Sequence, residues 1–181
     1  MIRLSNVETA VLGLLYEHHH YAYRLEEIIE KRRMRDWADL EFSSICSVLK
    51  GLEGKKLVKS EMGEVEGKLS RKVYSITDEG RAVFLEKIKE LISKKGNIIY
   101  PFDLGIANMN FLSHNEKIQS LELYLKSLEE RIGFMDNSIR VQKENNVPYN
   151  FIAIFSRSNA LLKAERDWVI EFIEKLEDNG I

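Results

Sequence analysis

Cysteine is almost absent from this sequence. Cys46 is the single one in 181 residues, which excludes an intramolecular disulfide framework and fits a reducing cytoplasm. Turn formers are scarce as well. The 10 glycines and 2 prolines are about 7% of the chain against a usual ~12%, which argues for long helices and against a many-stranded sandwich or barrel. No apolar run approaches the ~18 residues that span a bilayer. The longest, from Ala10 to Tyr16, follows Glu8 and lacks the basic lead of a secretion signal. A soluble, cytoplasmic protein with no membrane partner is expected. Catalytic signatures are missing too: there is no phosphate loop, no Gly-x-Ser-x-Gly, no His-Glu-x-x-His and no carboxylate pair in a fixed frame, so no catalytic residue is assigned and no enzyme is expected.

What is present is 44% hydrophobic residues, enough for a core, and an uneven distribution of charge. Residues 1–95 hold 18 Lys and Arg against 16 Asp and Glu, a net +2, whereas residues 96–181 hold 9 against 13, a net −4. The pattern of the chain changes at the same place, which divides it into two domains, 1–95 and 96–181.

The first domain reads as three short helices, a hairpin and a fourth helix. Ser5-Asn6-Val7-Glu8 has the capping-box form, followed by Val7, Val11, Leu14 and Leu15 at helical spacing. A second helix is predicted from about Tyr21 to Arg33, with Leu25, Ile28 and Ile29 inward. A third starts near Ser43 and puts Ile45, Val48, Leu49 and Leu52 on one face, with Ser43, Ser47 and Lys50 opposite and Ser44 and Cys46 on the flanks. The period then drops to two. Residues 57–62 and 71–76 read as strands around a polar tip bounded by Gly63 and Gly67. Thr77 caps a helix that ends near Lys94-Lys95-Gly96. Three helices and a two-stranded wing form a winged helix-turn-helix, so the fold class is mainly α.

The second domain opens on another capping box, Ser113-His114-Asn115-Glu116. Ile118, Leu121, Leu125, Leu128, Ile132, Met135 and Ile139 recur at alternating spacings of three and four, an a/d seam. Glu144 to Pro148 breaks the helix, and a second amphipathic run carries Ile154, Phe155, Leu161, Leu162, Trp168, Val169, Phe172 and Leu176. An antiparallel helical hairpin follows, with more apolar surface than it can cover by itself. A second copy is the expected cover, with the seam, Phe155, Leu162, Trp168 and Phe172 as dimerisation residues; the alternative is that the hairpin folds back on its own winged helix.

A recognition helix must turn small polar and basic side chains away from the core. Ser43, Ser44, Ser47 and Lys50 meet that condition, and Lys68, Ser70, Arg71 and Lys72 cluster on the wing, so double-stranded DNA is the expected partner. The alternative is a winged-helix scaffold that binds another protein and no DNA. The run His18-His19-His20 offers no metal site: adjacent helical residues diverge, whereas chelation on a helix needs spacing of three or four, so no metal and no cofactor are expected.

The order of motifs resembles the PadR family of winged-helix transcriptional regulators over nearly the whole chain. Val11-Leu12-Gly13-Leu14-Leu15 is similar to its opening helix, and Tyr21-Ala22-Tyr23-Arg24-Leu25 stands where the family shows His-Gly-Tyr-Glu-Leu. Ser44 to Leu49, Leu52 to Val58, Arg71 to Tyr74 and Ile76 to Arg81 follow in the family's order. The second half is similar to the virulence-activator type of helical extension, through Phe102-Asp103-Leu104 and Glu130-Arg131-Ile132. The resemblance implies a homodimeric regulator, acting as a repressor at a promoter or operator. It also implies a phosphate contact from Tyr23, and a planar aromatic effector near the dimer centre in a pocket that Trp168 and Phe172 would line. The sequence departs from the family at Ala22 and Cys46, and Glu64 and Glu66 at the wing tip would repel phosphate if turned toward it.

Overall fold

The chain enters its first helix through a reciprocal cap. Ser5 Oγ accepts from the Glu8 backbone N–H at 3.2 Å, and the Glu8 carboxylate accepts from the Ser5 N–H at 3.1 Å, so two of the donors that a helix start leaves open are satisfied. A computed structural model describes residues 2–38, 40, 44–65, 68–96 and 100–179, with backbone alone for 64, 65, 68–70 and 179. Contacts divide the chain into two units, 1–97 and 98–181.

In the first unit, α1 (Asn6–Glu17) buries Val7, Val11, Leu12, Leu14 and Leu15. The backbone then extends through His18 into β1 (His20–Tyr21) and turns into α2 (Ala22–Lys31). A 3-10 turn at Met34–Asp36 leads on to α3 (Ile45–Gly54), β2 (Val58–Val65), β3 (Lys68–Ile76) and α4 (Asp78–Ser93). The sheet is antiparallel with order β1-β3-β2. Its core is one cluster in which Val11, Leu12, Leu25, Leu49, Leu52 and Leu57 are wholly buried. At about 25 cal/mol per Å² of apolar surface, each of these side chains contributes roughly 1.5–3 kcal/mol.

Several boundaries differ from the sequence reading. The second helix is shorter at both ends, because Tyr21 is drawn into β1 by pairing with Val73 and Arg33 takes a left-handed conformation at φ 49°. The third begins at Ile45, with Ser44 as its cap. Both wing strands run further toward the tip than expected, with an irregularity in the pairing between Gly63 and Val65. The fourth helix stops at Ser93, where Lys94 becomes extended.

The second unit holds α5 (Pro101–Asn108), a 3-10 turn at Met109–Phe111, α6 (His114–Glu144) and α7 (Tyr149–Asn179). Pro101 occupies the first turn of α5, where its missing N–H costs nothing. The reciprocal cap forms again at α6, between Ser113 and Glu116. At its other end Asn146 is left-handed at φ 52°, and the Val147 N–H reaches back to the Gln142 carbonyl at 3.0 Å. That closure ends α6 before Pro148 and turns the chain into α7.

Candidate nucleic-acid interface

The helix α3 presents two kinds of polar residue. Ser44 Oγ accepts from the Cys46 N–H at 3.2 Å, so this hydroxyl closes the helix start instead of projecting from the outer face. Ile45, Leu49 and Leu52 point into the core, which turns Ser47 and Lys50 to solvent one turn apart. Cys46 is exposed beside them. Ser43 lies outside the described residues.

Tyr23, in the first turn of α2, is half exposed, and its ring stacks on Tyr21 with centroids 6.0 Å apart. The Arg71 guanidinium, from β3, lies 5.2 Å from the Tyr23 ring centre. Strand pairing brings these residues together: His20 and Tyr21 lie opposite Tyr74 and Val73, which fastens the start of α2 to the wing. Lys72 is exposed on the same strand. The backbone of β3 includes Lys68 and Ser70, whose side chains are outside the description, as are Glu66 and the side chain of Glu64. Tyr21 was not among the sequence candidates. Only its spacing of two from Tyr23, across a strand-to-helix junction, could have marked it.

The most basic stretch of sequence is neutralised by carboxylates. Arg32 donates two parallel bonds to Glu17, at 2.8 and 2.7 Å, and this fork holds the Glu17 carboxyl below its usual range. Arg33 pairs with Asp36, Arg35 with Glu26 and Glu30, and Arg24 with Glu27. By contrast, Lys50, Arg71 and Lys72 have no ion pair among the described residues. An open groove of about 950 Å³ separates α2 from the start of α3, lined by Tyr23, Glu26, Glu27 and Cys46 among others.

The three histidines do not share a helix. His18 is the extended cap of α1 and His20 lies in β1, so both rings fall on one side of extended chain, 6.3 Å apart edge to face. Burial is the main cause that lowers the His20 pKa, followed by the neighbouring His18. Among the described residues no group of three or more His, Cys, Asp or Glu could hold a metal ion.

In the second unit, the heptad seam faces the chain's own α7. Leu121 and Leu128 are buried in one cluster with Val169 and Leu176, flanked by Ile118, Leu125, Leu162 and Phe172. Ile132 and Met135 are buried on the same side of α6, while Ile139 and Phe155 are half-buried. The spacing thus identified a seam, but this hairpin itself covers most of it. The apolar residues left exposed include Leu123 (71%), Phe134 (43%) and Val141 (40%). At 100° per residue these three fall within about 20° of one another on the outside of α6. Leu161 and Trp168 do the same on α7.

Four aromatic rings gather at one place on the hairpin. Phe102 stacks on Tyr124 at 4.2 Å and Trp168 on Phe172 at 4.9 Å, and Phe102 meets Trp168 edge-on at 6.2 Å. The Tyr124 hydroxyl donates to Glu165 at 2.7 Å; burial first, and then this bond, push its pKa well up. Trp168 remains 46% exposed.

Comparison with known proteins places this architecture. Residues 11–86 match the transcriptional regulator PadR-like family. An uncharacterised protein of Lysinibacillus sphaericus is 27% identical over 86 residues, 48% of this chain and 78% of that one. Bacillus subtilis PadR in complex with operator DNA aligns at a TM-score of 0.72 with 16% identity, covering 93% of this chain and 98% of the other. The same protein in complex with p-coumaric acid aligns at 0.77 with 16% identity, covering 96% and 99%. These likenesses show a shared fold: a winged helix followed by long helices. Over residues 11–86 the N-terminal unit is thus similar to the PadR-like family of transcriptional regulators.

Proposed function

We propose that this transcriptional regulator binds double-stranded DNA directly and sequence-specifically, as a cytoplasmic homodimer, and that it represses by occupying its operator. The observation that carries this reading is the contrast in ion pairing on the first unit. Its arginine-rich stretch is neutralised by carboxylates, while Lys50, Arg71 and Lys72 stay exposed and unpaired among the described residues, beside Tyr23. Unpaired cations on a recognition helix and a wing are what phosphate neutralisation requires. Ser47 and Lys50 are the residues for base edges, and Arg71, Lys72 and Tyr23 for the backbone. Lys68, Ser70 and Ser43 complete the proposed interface, and Ser44 serves it by capping α3. Solved structures of Bacillus subtilis PadR with operator DNA support the same mode in a protein of this fold.

In this reading residues 1–95 form the DNA-binding domain, and residues 96–181 serve dimerisation and effector sensing. A dimer would set two recognition helices into successive major grooves, ~34 Å apart. The stripe of Leu123, Phe134 and Val141, with Leu161 and Trp168, supplies apolar surface for the second copy. The aromatic cluster around Trp168 and Phe172 is the proposed effector site, and the complex of Bacillus subtilis PadR with p-coumaric acid supports a planar aromatic ligand.

Fluorescence anisotropy tests this with a labelled duplex from upstream of the protein's own gene, titrated at two salt concentrations. Binding should weaken steeply as salt rises. Absent binding, or binding indifferent to salt, would leave a protein-binding scaffold as the better account.

A further inference from the structure

We propose that Tyr23 and Arg71 form one composite site for a single backbone phosphate of DNA, and that Tyr21 is the positioning residue that shapes it. The inference rests on the DNA-binding reading above and adds to it how three side chains act as a unit.

Two exposed polar groups meet here. Among the described residues the Tyr23 hydroxyl has no hydrogen-bond partner and Arg71 has no ion pair, yet the guanidinium lies 5.2 Å from the Tyr23 ring centre. A guanidinium over an aromatic face keeps its N–H edges free, in a planar fork that suits a phosphate, and loses less rotamer freedom on binding than one in open solvent. The phenol can add an O–H donor from the adjoining ring. A phosphodiester oxygen pair would thereby meet a fixed cation and a neutral donor from two different elements.

The third member holds the other two in register. Tyr21 stacks nearly parallel beneath Tyr23, with 15° between the planes, and its backbone pairs with Val73, two residues from Arg71 along β3. Its hydroxyl end reaches the wing at Gly63, which lies opposite Arg71 in the strand register. A Cβ built at Gly63 would stand 3.6 Å from the Tyr21 oxygen and only 2.5 Å from Val73 Cγ2. The absent side chain thus lets the Tyr21 ring, the Val73 side chain and the wing strand close together. One ring in this way ties the wing to the start of α2, so that Arg71 and Tyr23 approach the duplex as one rigid group.

Anisotropy titrations of the full chain against that upstream duplex test the coupling. Tyr23→Phe and Arg71→Met should each weaken binding about tenfold, and the double variant should weaken it by clearly less than the product of the two. Arg71→Met should also lower the salt slope by about one unit per protomer. Tyr21→Phe, which keeps the stack, should bind like the parent. Tyr21→Leu should weaken binding severalfold in the parent background and have no further effect in the double variant. Single effects that multiply would assign Tyr23 and Arg71 to separate phosphates and overturn the composite site. A Tyr21→Leu loss of equal size in both backgrounds would reduce Tyr21 to a structural residue. If the unaltered chain binds no duplex at low salt, the DNA reading falls and this site with it; if it binds but the variants bind equally well, the site alone is wrong.

Discussion

Gly80 faces the carbonyl of Leu57 so closely that a Cβ at residue 80 would lie 2.1 Å from the Leu57 oxygen. The contact belongs to a junction where Thr77 joins three elements. Its hydroxyl donates to the Lys56 carbonyl at 2.9 Å and accepts from the Gly80 N–H at 3.0 Å, and its own N–H donates to the Leu57 carbonyl at 3.0 Å. Gly80→Ala should therefore destabilise the first unit by about 3 kcal/mol, since backbone cannot yield as a side chain does. Thr77→Ala should cost about 1 kcal/mol through loss of the cap. Urea denaturation followed by circular dichroism measures both, and equal midpoints for the parent and Gly80→Ala would refute the close approach.

Acid should loosen both units. The fork from Arg32 holds the Glu17 carboxyl below its ordinary 4.5, and Lys163 with Asn159 holds Asp136 below its ordinary 3.8. A depressed carboxylate pKa gives stability that is fully present above the unfolded value and disappears as pH falls through the folded one. Stability should decline below about pH 5. Arg32→Met should flatten the part of that decline that belongs to Glu17, and thermal melts across pH 3 to 6 would reveal whether it does.

Two classes of variant on α6 should separate folding from assembly. Leu128 is buried against α7, so Leu128→Ala should cost about 3 kcal/mol and melt the hairpin. Leu123→Glu and Phe134→Glu alter exposed residues and should leave the hairpin helical while shifting a dimer to monomer. Light scattering at two concentrations measures the mass. A dimer that persists in both Glu variants would move the interface elsewhere.

The aromatic cluster makes a prediction about charge. Glu165 and Asp103 both act on Tyr124 at its edge, so a neutral or cationic planar ligand should be accepted more readily than a carboxylate. A Trp37→Phe variant leaves Trp168 as the sole indole, and quenching by p-coumaric acid and by its amide compares the two. Stronger quenching by the acid would contradict the electrostatic argument.

Much of this architecture could be read from the sequence because it is set by local chemistry. The Ser5–Glu8 and Ser113–Glu116 caps, the Thr77 cap and the wing strands each declare themselves within a few residues. What escaped notice depends on distant partners. β1 is only two residues long and exists because β3 lies beside it. α5 is only eight residues long, and the stripe it packs on the hairpin, Phe102 and Ile106, is too short to stand out. The heptads of α6 announce a seam, but a seam looks the same whether the matching helix comes from another copy or from residues 149–179. Ser44 could be read as an outward polar residue or as a cap, and only the start of α3 at Ile45 decides between them.

The carboxylates that grip the arginines at the end of α2 have a further consequence. Left bare, Arg32, Arg33 and Arg35 would make a sticky cationic knob able to cling to any polyanion in the cell. Glu17, Glu26, Glu30 and Asp36 mute that knob without shortening the sequence or removing a single positive residue. Selectivity for one stretch of chromosome would then owe as much to the charges silenced at the end of α2 as to those left audible on the wing.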